Sequence, residues 1–87
     1  MTTAELMQQK LSKLNPQSLE ILDESGKHVG HAGASAGGGH FQLVIVSPQF
    51  AGKPVQQRHR MVYDALGSLM KKEIHALAIK AYAPGEI

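Results

Sequence analysis

The chain contains no cysteine and no tryptophan. Without thiols it forms no disulfide, offers no sulfur nucleophile and builds no cysteine-type zinc or iron-sulfur site of its own, so any metal must be held by histidine or carboxylate. Aromatic residues are scarce, at two Phe and two Tyr. No apolar run approaches the roughly 18 residues of a membrane span, and the first residues, with Glu5 among them, lack a secretory apolar region. These features lead us to expect a soluble, cytoplasmic-type protein. Charge of one sign is lacking too: nine Lys+Arg stand against seven Asp+Glu, a formal +2. With a pI near 9.1 the chain is mildly basic, short of a polyanion-binding composition. No GxxxxGK(S/T), HExxH or paired-carboxylate arrangement occurs, and Ser47 has no evident base and orienting acid, so an enzyme is not expected.

What remains fits one domain spanning residues 1–87. A chain this short buries only roughly two-thirds of its unfolded surface, which leaves a small core and no room for a second domain. With 43% hydrophobic and 18% charged residues it is too apolar to be disordered.

Thr2 and Glu5 sit at capping-box spacing, and Met7, Leu11 and Leu14 share a helical face with Leu6 at its border, predicting a helix over 3–14 stopped by Asn15-Pro16. Ser18 to Leu22 alternates as a short strand. Between Gly26 and Gly39 lie six of the nine glycines, predicting a mobile loop. His40 to Ser47 is apolar almost throughout and β-branched, the mark of a central strand, and Pro48 ends it. After Gly52-Lys53-Pro54, residues Val55, Val62, Leu66 and Leu69 recur at helical spacing through Met70. Gly67 inside that helix costs about 1 kcal/mol against Ala. Ile74 to Tyr82 reads with period two as a last strand. The order α-β-β-α-β is an α+β domain. Its first two strands pair antiparallel, the second and third run parallel across a helical crossover, and both helices lie on one face of a three-stranded mixed sheet.

Parallel strands begin at the same end of a sheet, so His40 and His75, which open the second and third strands, are expected together. The loop bearing His28 and His31 leads into His40, which brings four of the five histidines to one edge. His59, between Arg58 and Arg60, belongs elsewhere. Converging imidazoles bind iron, copper, nickel or zinc. His75 shares a face with Leu77 and Ile79 by simple alternation, however, where a histidine also serves as a structural residue. Lys53 with Arg58 and Arg60, around a glycine loop and helix start, can receive phosphate, or can equally be a solvated helix face. A mononuclear zinc or iron site of His28, His31 and His75 is a further option.

The stretch HFQLVIVSPQFAGKPVQQRHRMVYDALGSLMKKEIHALAIKAYAPGE resembles the BolA family, with a strand ending in VS, then FxGK, RHRxVY and a late HAL. Upstream, LEILDESGKHVGHAG is similar to the family's first strand and variable loop. The resemblance implies a class II KH-like fold and partnership with a monothiol glutaredoxin, sharing a bridging [2Fe-2S] cluster. It implies His75 as the late ligand and His28 as the loop ligand, with His31 a possible substitute; the glutaredoxin cysteine and glutathione supply the rest. The family also includes DNA-binding transcriptional regulators of stress response and morphology. Here Lys53, Arg58 and Arg60 would face DNA, although the GxxG of KH domains is missing.

Overall fold

A computed structural model describes residues 2–24 and 39–87. The glycine-rich loop expected over 26–39, with His28 and His31, lies outside the described residues except for Gly39.

The first helix, α1 (Thr3–Leu11), starts where the sequence predicts it. The Glu5 N–H donates to Thr2 Oγ1 at 3.1 Å, and the Thr2 N–H donates back to Glu5 Oε1 at 2.9 Å. The reciprocal pair satisfies donors that a helix start otherwise leaves unpaired. The predicted last turn tightens into a 3-10 turn, Ser12–Leu14, which brings Leu14 into the core. Asn15 then leaves in the left-handed conformation, φ 54°.

Strand β1 (Ser18–Asp23) pairs antiparallel with β2 (Gly39–Val46), Ser18 opposite Val46 and Asp23 opposite Phe41. A 3-10 turn, Pro48–Phe50, seats Phe50 in the core. At its start the buried Ser47 hydroxyl donates to the Leu14 carbonyl at 2.6 Å and accepts from the Gln49 N–H at 3.1 Å, tying the first helical segment to the end of β2. Helix α2 (Val55–Leu66) crosses back and β3 (Ile74–Tyr82) pairs parallel with β2. The strand order is β1-β2-β3, with β2 central as its apolar run predicts. One core joins Met7, Leu11 and Leu14 with Phe41, Leu43 and Ile45 of β2, Phe50, and Val62, Ala65 and Leu66 of α2. The helices therefore cover a single sheet face. The α-β-β-α-β order and mixed sheet are as expected.

Three expectations differ. Helix α2 stops at Leu66, not Met70, because Gly67 adopts φ +58° as its cap and a 3-10 turn follows. Gly67 is thus a stop signal, not a weak point inside the helix. Val55 is 64% exposed, since the first turn projects beyond the core, while Arg58 one turn on is buried. In β3, a register shift of one residue places Gly39 opposite Ile74 but His40 opposite Ala76. Ile74 is buried and His75 exposed. His75 therefore does not share the core face of Leu77 and Ile79; simple alternation fails because the bulge changes the phase of the strand.

Gly67→Ala separates the two readings of that glycine. As a left-handed cap, the substitution strains the backbone and lowers stability by about 1–3 kcal/mol. In a helix interior it would raise stability by about 1 kcal/mol. Urea denaturation measures the sign.

Candidate functional site

The bulge sets the histidine edge. His75, the second residue of β3, stands exposed on the sheet face away from the helices. His40, near the start of β2, is half-buried, and the two imidazole centres lie 5.3 Å apart with planes tilted by 36°. Both flanks of the pair are fixed by main-chain bonds: the Gly39 N–H donates to the Glu73 carbonyl at 2.8 Å, and the Glu24 N–H to the His40 carbonyl at 2.7 Å. Residues 24 and 39, the described ends of the connection carrying His28 and His31, therefore both sit at this edge. Two of the four histidines expected here are brought together; His28 and His31 lie outside the described residues. Among the described residues no group of three His, Asp or Glu side chains gathers at a metal-binding spacing. His59 is on α2, half-buried beside Gln56, Arg60 and Tyr63, and away from the edge as expected.

The basic segment is at the other end. His75 and Ala81 are six strand residues apart, about 20 Å along β3. Arg58, expected to face nucleic acid, is 9% exposed and its donors are used internally. Its Nε donates to the Lys53 carbonyl at 2.8 Å and Nη1 to the Ala81 carbonyl at 3.1 Å. Nη1 and Nη2 also donate to the two Glu86 oxygens at 2.6 and 2.9 Å, a bidentate fork. The Ala83 N–H, which donates to Glu86 Oε1 at 2.8 Å, is the third donor to this carboxylate. This corrects the expectation for Arg58: its guanidinium locks α2 to the end of β3 and the chain after it. Lys53 is half-buried, with Nζ donating to the Gln49 carbonyl at 2.8 Å. Arg60 is exposed, and lines a groove of about 380 Å³ together with Pro54, Gln56, Gln57, Met61 and the acidic Asp64.

Glu86 is the residue that sequence reasoning missed. It follows Pro84-Gly85 near the end of the chain and no local pattern marks it; only the buried Arg58 across the fold explains it. The hydrogen bond from Arg58, and after it the Ala83 N–H, hold the Glu86 carboxyl well below its ordinary 4.5, at about 2. Arg58 is correspondingly pushed up by the hydrogen bond to Glu86.

Comparison with known proteins adds a family. The family described as BolA-like protein matches residues 11–86. The SufE-like protein 1 of Arabidopsis thaliana is 42% identical over 87 residues, covering 93% of this chain and 24% of that protein. The DNA-binding transcriptional regulator BolA of Escherichia coli K12 is 37% identical over 83 residues, covering 94% of this chain and 76% of the regulator. The solved BolA domain of Arabidopsis SufE1 superposes with a TM-score of 0.82 at 40% identity, over 100% of this chain and 99% of the domain. The chain spans between about a quarter and about a half of the length of the first curated relatives it matches. No described helix is long and apolar enough to cross a membrane.

The depressed Glu86 carboxyl makes stability depend on pH. Because its folded value lies below its unfolded one, its contribution is complete above about pH 4.5 and is lost as pH falls towards 2. Glu86→Gln is expected to unfold at lower temperature at pH 7, since Arg58 loses its carboxylate, and to show a shallower loss of stability between pH 4.5 and 2. Thermal melts across that range measure both effects.

Proposed function

The chain belongs to the BolA family, and on that premise we propose that it is a non-enzymatic cytoplasmic partner of a monothiol glutaredoxin, with which it shares a bridging [2Fe-2S] cluster. The role is cluster trafficking or iron and stress regulation. The observation that carries this reading is His75, an exposed imidazole at a sheet edge, on a chain without cysteine. A ligand to a cluster held between two proteins has to be reachable from outside its own core, and the bulge at His75 meets that requirement.

The donor set fits the group. His75 supplies one ligand, and His28, or His31 in its place, the second. The glutaredoxin cysteine and glutathione complete the set with sulfur, which this chain lacks. Imidazole in place of thiolate makes a [2Fe-2S] centre less negative and raises its potential. For its own part the chain orients His75: the bulge turns it out, buried Ile74 anchors the strand on one side of it, and His40 packs beside it.

A second reading, a DNA-binding transcriptional regulator using a class II KH-like fold, is favoured by the name of the Escherichia coli relative. It would rest on Arg60 and Lys53, because Arg58 is committed internally.

The two readings use opposite ends of the sheet, so substitutions separate them. In anaerobic mixtures with a monothiol glutaredoxin, glutathione, iron and sulfide, the wild type is expected to give visible absorption and circular dichroism distinct from glutaredoxin alone. His75→Ala is expected to abolish that difference, while Lys53→Ala with Arg60→Ala leaves it intact. An unchanged spectrum on adding the wild type contradicts the cluster reading. The regulator reading instead requires DNA binding that weakens steeply with salt and survives His75→Ala.

A further inference from the structure

Both helices pack on one face of the sheet, and among the described residues no helix or strand lies over the other. The side chains on that other face fall into rows set by the strand register. Ser18, Val46 and Tyr82 form one row, Glu20, Val44 and Lys80 the next, and Leu22, Gln42 and Ala78 the third. We propose that this face is the contact of a weak, symmetric homodimer, in which two sheets pack face to face about a two-fold axis parallel to β2.

The order within the rows carries the inference. An axis lying over β2 sets β1 of one copy above β3 of the other, so each row faces its own reverse. Glu20 then meets the second copy's Lys80, and Lys80 the second copy's Glu20, which gives two ion pairs in one interface. In the third row Leu22, 51% exposed, lies over the exposed Ala78 of the second copy, and in the first row Tyr82 lies over the exposed Ser18. Each of these contacts sets a large side chain against a small one, while Val44 meets its own copy on the axis. A two-fold axis across the strands through the same row would instead stack Glu20 on Glu20 and Lys80 on Lys80, an arrangement that repulsion disfavours. Among the described residues neither Glu20 nor Lys80 has an ion-pair partner, so both charges are available to a second copy.

Sheet twist leaves this matching in place. Aligned sheets cross at about 30°, which over the roughly 4.8 Å from β2 to an outer strand displaces facing residues by about 2–3 Å, well under the roughly 6.6 Å between rows. Three strands with a shared length of about 20 Å present a patch of only roughly 300 Å² per copy, below the size of stable complexes, so the dimer forms and separates with concentration.

Sedimentation equilibrium of the full-length chain between about 0.01 and 1 mM is expected to show monomers passing into dimers. Glu20→Lys and Lys80→Glu each place like charges in both pairs, and each is expected to weaken dimerisation about tenfold or more. An equimolar mixture of the two variants is expected to recover it, because each then meets the opposite charge on the other. Both positions are exposed, and recovery in the mixture shows that both variants are folded. In amide NMR of the wild type, shifts that move with concentration should centre on 18–22, 42–46 and 76–82. A wild type that stays monomeric, single variants that dimerise as the wild type does, a mixture that stays monomeric, or shifts centred on α1 or α2 would each overturn the proposal. His75 and the loop histidines are unaltered in both variants, so none of these outcomes bears on the shared-cluster reading.

Discussion

Strand β3 meets two demands that a regular strand cannot meet together. It pairs with β2 along its whole length, and it packs both Ile74 and Leu77 against the core, although residues three apart fall on opposite faces of a regular strand. One extra residue resolves the conflict: beyond Gly39 and Ile74 the register moves on by one, and His75 and Ala76 both lie outside. From there Leu77, Ile79, Ala81 and Ala83 keep the core face. The phase of the core and the exposure of His75 are therefore a single fact, and each role suggested for this edge depends on it.

The far end of β3 is organised by a different force. Arg58 bridges the loop before α2, the last residues of β3 and Glu86, so a charge that looks free in the sequence serves as a clamp. A buried guanidinium is tolerable only where its donors are matched, and here Nε, Nη1 and Nη2 all meet oxygen. The clamp holds the end of the sheet opposite the histidines. It also separates stability from function: the cations that give the chain its mild basicity are partly structural, which weakens an electrostatic case for nucleic acid.

Much of this was legible in the sequence, for reasons that differ by element. The Thr2 and Glu5 spacing marks the start of α1 because a capping box is local chemistry, and the nearly continuous apolar run of β2 marks the strand that lies between two others, although only one of its faces, with Phe41, Leu43 and Ile45, meets the helices. The limits of β3 followed from Ile74 and Tyr82. What stayed hidden depended on contacts distant in sequence. A bulge is invisible to period-two counting, so His75 was assigned to the face of Leu77. The cap at Gly67 reads as a helix interior until its positive φ is known. Arg58 cannot be told from Arg60 without Glu86, which lies 28 residues further along the chain. At the site, parallel pairing was enough to bring His40 and His75 to one edge, but not to show that their rings touch.

The most direct test of the central claim, that this chain gives a shared cluster an imidazole ligand, is pulsed EPR of the reduced [2Fe-2S] complex formed with a monothiol glutaredoxin. Strong coupling to a nitrogen that disappears on His75→Ala, or changes to a different nitrogen signal, is the result expected. A spectrum with no strongly coupled nitrogen, identical in wild type and His75→Ala, would show that thiolates alone hold the cluster and would contradict the account.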